Sequence, residues 1–147
     1  MIDRFRGPYN FLSNFYYSPF IDGNGLMWKT VEHYYQAQKA KDFYNKVNIM
    51  ETETPSEAKK LGSKVSLRPD WTIAERVKVM KRALRMKFDQ NRKIKQKLID
   101  THPEELVEGN DWGDIFWGQV NGKGQNFLGK LLMILRKDYI EDKEEEN

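Results

Sequence analysis

The sequence TVEHYYQAQK, residues 30–39, predicts the helix around which the rest of the chain is organised. Thr30 is a favourable N-cap, and a glutamate in the first turn suits the positive end of the helix dipole. At about 100° per residue, Glu32, Gln36 and Lys39 fall on one stripe, within about 60° of each other. Much of the remaining surface is aromatic or apolar. Such a stripe is either the solvated face of an ordinary amphipathic helix or a functional site.

The length and composition exclude several classes of protein. A chain of 147 residues predicts one domain, over residues 1–140, followed by an acidic tail over residues 141–147 that we expect to be disordered. No apolar run is long enough to span a membrane, and the first residues lack the apolar core of a signal peptide. Zero cysteines exclude disulfides, thiolate catalysis and cysteine-ligated zinc.

Localisation and cofactors follow from the same residue counts. The absence of cysteine fits a reducing compartment, so we expect a cytoplasmic protein. Two histidines, His33 and His102, are too few to favour a histidine-based metal site. We therefore expect neither a metal nor a cofactor.

The charge is unevenly distributed along the chain. Net charge is +3, but the last seven residues hold five acids and one lysine, so residues 1–140 carry +7. A basic body suits an anionic ligand such as a nucleotide, although it also simply favours solubility. Aromatic residues make up 13% of the chain, and the four tryptophans lie near turn-like stretches. Aromatic side chains at loop edges can stack on a flat heterocycle or serve as packing anchors.

The remaining pattern predicts a mainly helical chain with a small N-terminal β hairpin. The aromatic stretch 15–21, interrupted by Pro19, predicts an edge strand, and the turn sequence DGNG at 22–25 leads into a returning strand at 26–28. Further helices are predicted over residues 43–50, 55–62, 73–88, 94–99 and 127–140, with Thr54 and Thr72 as N-caps and the helix from Ile73 as the central core helix. Residues 7–15 and 108–118 are predicted to be loops.

Five motifs in this order resemble the NADAR family, also called YbiA-like N-glycosidases. They are FLSNF at 11–15, TVEHYYQAQK at 30–39, RPDW at 68–71, DIFWG at 114–118 and GQNFLGKLLM at 124–133. The resemblance covers residues 10–136 and implies a compact, mostly helical fold that cleaves an N-glycosidic bond to ribose. Two substrate classes are associated with such proteins: phosphoribosylamino-pyrimidine intermediates of riboflavin synthesis, and ADP-ribose attached to guanine in DNA or RNA.

The resemblance implies three catalytic residues. Glu32 would protonate the leaving nitrogen, and because the helix start favours its carboxylate, it needs burial to stay protonated. Lys39 would attack C1 after ring opening and form a Schiff base, which requires a neutral amine and hence desolvation or a nearby cation. Asp114 would orient a ribose hydroxyl or share the acid–base role.

Substrate-binding residues are expected at Ser13, Asn14, Trp28, Gln36, Arg68, Trp71, Arg82, Trp117, Gly118 and Asn126. Trp71 and Trp117 would sandwich the base, unless they are core anchors. A phosphate would be held by Arg68, Arg82 and the turn at 124–126, which offers free amides before a helix. Alternatively, Arg82 is only a solvated surface charge. Ser13 and Asn14 would line the pocket, where they could contact a ribose hydroxyl, or only form a local turn.

Two other classes of function compete with the enzyme. One is a non-catalytic module that binds ADP-ribose or a nucleotide in an aromatic, basic pocket. The other is general nucleic-acid binding through the +7 body, which predicts strong salt dependence and little discrimination between bases. An acid and an amine on one helical stripe favour the enzyme, because binding alone needs neither. The expected partner is a phosphorylated ribosyl or ADP-ribosyl substrate, on DNA or RNA in the second case; the sequence predicts no oligomeric state.

Overall fold

The computed structural model describes residues 1–146, which group into two units: residues 14–91, and residues 1–13 together with 92–146. The secondary structure of both units is mainly helical, and residues 1–146 contain one two-stranded sheet, at the N-terminal side. The predicted fold class, mainly α with a small N-terminal β hairpin, is confirmed. The prediction of one domain over residues 1–140 stays a prediction.

The hairpin consists of two short antiparallel strands, β1 (Phe20–Ile21) and β2 (Met27–Trp28). Asp22 fixes the turn, because its Oδ1 accepts hydrogen bonds from two backbone N–H groups of the turn, at 2.8 and 3.0 Å. Its Oδ2 accepts a further hydrogen bond from the Trp28 indole at 2.9 Å. β1 is shorter than the stretch 15–21 that the sequence suggested, since Pro19 has no N–H to continue the ladder.

The first α-helix, α1 (Val31–Gln38), is enclosed by the rest of its unit. The Thr30 hydroxyl caps it by accepting a hydrogen bond from the backbone N–H of His33 at 3.1 Å. Every residue from 31 to 37 is buried. Three helices pack against α1: α2 (Phe43–Glu51), α3 (Pro55–Gly62) and α4 (Ile73–Asp89). The polar stripe is therefore not a solvated face.

The helices around α1 begin where their capping residues predict. The Thr54 and Thr72 hydroxyls accept hydrogen bonds from the backbone N–H groups of Glu57 and Glu75, at 3.1 and 3.2 Å, which confirms both predicted caps. As predicted, α4 buries Met80, Leu84 and Phe88 in the core, but it is not the central helix of this unit. Ile73 is 62% exposed, and the helix that contacts the other three in this unit is α1.

In the second unit, the N-terminus pairs with a distant segment. Ile2 forms a parallel bridge with Leu106: the Ile2 N–H donates to the Glu105 carbonyl, and the Val107 N–H donates to the Ile2 carbonyl, both at 2.8 Å. Residues Gly7–Leu12 form a 3₁₀ helix where the sequence predicted a loop. A proline in its first turn favours this geometry, because the ring fixes φ near helical values.

Two helices complete this unit, α5 (Arg92–Asp100) and α6 (Phe127–Glu146), which pack against each other. α6 includes residues 141–146, where the sequence predicted a disordered tail; residue 147 lies outside the described residues. The glutamates there extend an apolar helix that is already nucleated, and glutamate is a good helix former. No helix within residues 1–146 is both long enough and apolar enough to cross a membrane.

Candidate active site

Glu32 and Gln36 form a buried, hydrogen-bonded pair on one face of α1. Their exposed fractions are 7% and 6%, and the Gln36 side-chain amide donates a hydrogen bond to Glu32 Oε1 at 2.7 Å. The backbone N–H of Glu32 donates to the Asn14 carbonyl at 3.1 Å, so the segment before β1 is fixed to the start of α1. Glu32 therefore has the burial that a protonated carboxyl at the start of a helix needs.

Lys39 follows the last turn of α1, and its environment favours the neutral amine. Burial lowers the pKa of Lys39 below its usual value of 10.5, and the positive charges of Arg76 and Lys59 lower it further, while the negative charge of Glu32 opposes the shift. Both conditions named for a nucleophilic lysine, desolvation and nearby cations, are therefore met.

Arg76 and Lys59 belong to this cluster, although the sequence analysis did not single them out. Arg76 lies on α4, and its Nε donates a hydrogen bond to the Tyr35 hydroxyl at 3.1 Å. The Lys59 ammonium on α3 lies 6.0 Å from the centre of the Phe15 ring. Each is one of several cations on its helix, so sequence alone offers no signal that distinguishes them. Which cations lie close to Lys39 depends on how α3 and α4 pack around α1.

Two buried oxygen atoms beside Glu32 accept no hydrogen bond from residues 1–146: Asn14 Oδ1 and Gln36 Oε1. The Asn14 side-chain amide contacts the Met80 sulfur at 3.6 Å, which leaves its oxygen as an acceptor. A buried acceptor without a donor costs roughly 1–3 kcal/mol. Both oxygens therefore have unused acceptor capacity, and the binding of substrate by Asn14 and Gln36 stays a prediction.

Gly62, at the end of α3, sets the position of Gln36. A Cβ atom at this glycine would collide with the Gln36 side chain, including Oε1. Gln36 is itself buried and hydrogen-bonded to Glu32, so any displacement of its amide disturbs that pair. The close approach of α3 to α1 thus requires glycine at position 62. The contact between the two helices fixes the position of the unpartnered Gln36 oxygen.

His33 has a structural role despite lying next to Glu32 in the sequence. Its Nε2 lies 3.0 Å from the Thr52 carbonyl, which can only accept, so Nε2 carries the proton. Its Nδ1 then accepts from the Thr30 hydroxyl at 2.8 Å. Burial lowers the pKa of His33, and the nearby Lys29 charge adds to this effect. The ring therefore stays neutral and links the start of α1 to the end of α2.

Two predicted binding residues in the same unit hold the end of α1 in place. The Arg68 Nε donates to the Gln38 carbonyl at 2.7 Å, and its guanidinium pairs with Asp70 at 2.9 Å and Glu75 at 3.1 Å. With two carboxylate partners, Arg68 does not fit the predicted role of phosphate ligand. The Trp71 ring packs against Tyr35, with centroids 5.5 Å apart, and under the Arg68 guanidinium at 4.9 Å.

Trp28 and Arg82 are not brought to the Glu32–Lys39 stripe. Both line a cavity to which α1 contributes Tyr34 and Gln38 but none of the stripe residues. They therefore do not join the Glu32–Lys39 stripe, and the roles of Trp28 in substrate binding and of Arg82 in phosphate binding stay predictions. The reason is rotational: Tyr34 lies about 140° to 160° around α1 from the stripe residues.

The other predicted residues, Ser13, Asp114, Trp117, Gly118 and Asn126, belong to the second unit. There Asp114 Oδ1 accepts hydrogen bonds from the backbone N–H groups of Phe116 at 3.0 Å and Trp117 at 2.8 Å. This arrangement stabilises the 114–117 loop. The catalytic role of Asp114 and the base-stacking role of Trp117 stay predictions.

Three of these residues make close structural contacts of their own. The backbone N–H of Ser13 donates to the Asn10 carbonyl at 3.0 Å, at the end of the 3₁₀ helix. A Cβ atom at Gly118 would collide with the backbone of Glu108. The Asn126 side chain donates to the Leu106 carbonyl at 3.0 Å and accepts from the Glu108 N–H at 2.9 Å. Binding of substrate by these residues stays a prediction.

At the phosphate site predicted over residues 124–126, two of the three backbone amides are already hydrogen-bonded. The backbone N–H of Gln125 donates to the Ile115 carbonyl at 2.8 Å, and that of Asn126 donates to the Gly118 carbonyl at 3.2 Å. Both donors are therefore committed within their own unit.

Residues 1–146 also contain no cluster of three or more histidine or acidic side chains that could hold a metal ion.

Comparison with known proteins gives consistent results across sequence and structure. The NADAR domain family model matches residues 3–139. The chain is 40% identical over 139 residues to N-glycosidase YbiA of Shigella flexneri serotype 5b (strain 8401), which covers 92% of this chain and 84% of that protein. It is 42% identical over 138 residues to N-glycosidase Npun_R5314 of Nostoc punctiforme, which covers 89% of this chain and 86% of that protein.

Two further comparisons concern a longer protein and a solved structure. The chain is 37% identical over 136 residues to the riboflavin biosynthesis protein VVA0006 of Vibrio vulnificus, covering 90% of this chain but 36% of that protein. The NMR structure of YbiA from E. coli has a TM-score of 0.84 and 36% identity, and the match covers 97% of this chain and 89% of that one.

Proposed function

This chain belongs to the NADAR family and is a hydrolase of N-glycosyl bonds, and we propose that it cleaves the C1–N bond of a ribosyl substrate through Glu32 and Lys39. The observation that carries this proposal is the placement, on one face of α1, of a buried acid and a lysine whose pKa is lowered. Together they match the two requirements of the reaction: a proton source and an uncharged nucleophile.

The covalent route assigns each proton transfer to one of these groups. Glu32 protonates the ribose ring oxygen as the bond from that oxygen to C1 breaks, and the electrons of the base nitrogen form a double bond to C1. The neutral amine of Lys39 then adds to C1. The Glu32 carboxylate takes one proton from the adduct and delivers it to the base nitrogen, which leaves with the electrons of the C1–N bond.

The remaining intermediate is an imine between Lys39 and C1. Water adds to the imine carbon, the C–N bond to Lys39 breaks, and the sugar leaves as an aldehyde that closes to its ring form. Glu32 and Lys39 return to their starting protonation states. The net reaction is hydrolysis, which needs no metal, oxidant or other co-reactant.

Substrate recognition is assigned to the polar groups around this pair. Asn14 Oδ1 and Gln36 Oε1, the two buried oxygens without donors, accept hydrogen bonds from the ribose hydroxyls. Arg76 and Lys59 attract a phosphate, because they are the cations close enough to Lys39 to lower its pKa. Two substrate classes meet these requirements: phosphoribosylamino-pyrimidines, supported by the riboflavin-related relative, and ADP-ribose attached to guanine in DNA or RNA.

The test is hydrolysis of both substrate classes by the wild type and by Glu32→Gln. This change keeps the shape of the side chain and its ability to contact Gln36, but it removes the proton. We expect the rate of release of the free base to fall by about 10²-fold or more, with substrate affinity retained. If the wild type binds ADP-ribose tightly but releases the free base from neither substrate class, the result would instead support a non-catalytic ADP-ribose-binding module.

A further inference from the structure

The cavity lined by Trp28 and Arg82, of about 420 Å³, lies beside α1 and is lined wholly by residues of the 14–91 unit. α1 contributes Tyr34 and Gln38, which lie about 100° or more around the helix from the Glu32–Lys39 stripe. The hairpin, α2 and α4 provide the other walls. Its volume falls within the usual range for small-molecule sites. Its location separates it from the proposed catalytic groups.

Part of the lining is aromatic and suited to a flat ring. Trp28 and Tyr34 are both buried and meet edge to face, with ring centroids 5.4 Å apart and planes at 90°. Phe43 also lines the cavity and is 68% exposed, so its ring is accessible. The side chains of Met50 and Met86 add adaptable apolar contacts. An aromatic ring can therefore pack against the accessible Phe43 ring, beside the Trp28–Tyr34 pair.

Two cations also line the cavity, and neither has a carboxylate partner in the described part of the chain. Lys46 lies on α2, and Arg82 lies on α4, where its guanidinium is 3.4 Å from the Tyr34 hydroxyl. The acid in the lining, Asp22, already accepts hydrogen bonds from the turn and from the Trp28 indole. The cations are therefore available to an anionic group of a ligand.

We propose that this cavity binds a nucleoside monophosphate, with its base against Phe43 and the Trp28–Tyr34 pair and its phosphate on Arg82 and Lys46. A purely apolar ligand would leave both cations unused, and inorganic phosphate would leave the aromatic lining unused. Gln38 provides an amide that can donate to and accept from a base edge. The proposal does not depend on the catalytic role of Glu32 or Lys39.

Calorimetric titration of the full chain tests the site, with adenosine monophosphate as the probe. We expect Arg82→Met to weaken its binding about tenfold or more, because a charge-assisted contact to phosphate is lost. Lys81→Met is the charge-matched control on the exposed part of α4 and leaves binding unchanged. Phe43→Ala weakens both the nucleotide and adenosine, whereas Tyr44→Ala, at a 75% exposed neighbour outside the cavity, affects neither.

Controls with single parts of the ligand complete the experiment. Adenosine and inorganic phosphate each bind at least tenfold more weakly than the monophosphate, since each uses half of the site. Absence of binding of adenosine monophosphate up to about 1 mM would overturn the proposal. It would also be overturned if Lys39→Arg abolished binding while Arg82→Met and Phe43→Ala retained it, since the ligand would then occupy the proposed catalytic site.

Discussion

Lys87 offers a test of the packing of α4, because its ammonium is buried where a charge is unfavourable. The residue is 1% exposed, and burial lowers its pKa from 10.5 to about 7. Its nitrogen lies 5.0 Å from the centre of the Phe88 ring and 5.7 Å from that of Tyr16. We predict that Lys87→Met, which keeps the length and removes the amine, relieves a penalty that depends on pH.

The direction in which stability changes with pH follows from the pKa values of Lys87 in the folded and unfolded chain. Between pH 7 and 10.5 the unfolded chain binds a proton that the folded chain releases, so the folded state gains stability as pH rises. The penalty on folding is about 4 kcal/mol at pH 7, remains near that size at lower pH, and falls to about 1 kcal/mol at pH 10.

Urea denaturation of the wild type and Lys87→Met at pH 7, 8.5 and 10 measures this effect. The stability of the variant relative to the wild type should fall by about 3 kcal/mol between pH 7 and pH 10. Lys81→Met, at an exposed position of α4, is the control for the loss of a lysine from this helix. A difference between Lys87→Met and the wild type that is constant across this range would show that burial does not lower the pKa of Lys87.

Two further predictions concern the proposed catalytic groups. Gly62→Ala should displace the Gln36 amide and lower kcat/KM about tenfold or more while the chain stays folded. Hydrolysis kinetics and thermal unfolding measure these two effects. Unchanged kinetics would show that the position of Gln36 is unimportant for the reaction. Because activity requires neutral Lys39, the rate should rise with pH through the pKa of that lysine, and Arg76→Met should move this midpoint to higher pH. Lys78→Met, on the same helix, serves as the control, and an equal midpoint in Arg76→Met and the wild type would contradict the assigned effect of Arg76.

The sequence predicts the local features of the fold well, because those features depend on neighbouring residues. The Thr30, Thr54 and Thr72 caps form as expected, since a hydroxyl at the N-cap satisfies an amide three residues away. The Glu32–Gln36–Lys39 stripe follows directly from the helical period. These predictions required no knowledge of how the helices pack.

The features that the sequence missed depend on contacts between distant segments. Arg76 reaches Tyr35, and Gly62 packs on Gln36, only because α3 and α4 surround α1. Arg68 was a reasonable phosphate ligand by charge alone, but its two carboxylate partners are revealed only by the structure. Periodicity cannot indicate which of many cations on a basic helix lies next to a buried amine.

Trapping with borohydride is the measurement that tests the covalent role of Lys39 most directly. Wild-type protein turning over either substrate class in the presence of the reductant should gain the mass of the sugar fragment, and peptide mapping should locate it on Lys39. Lys39→Arg keeps the charge but provides no usable nucleophile, so it should bind substrate, form no adduct and turn over poorly. Turnover by the wild type without any adduct, together with an active Lys39→Arg variant, would contradict the account and leave Glu32 acting with water.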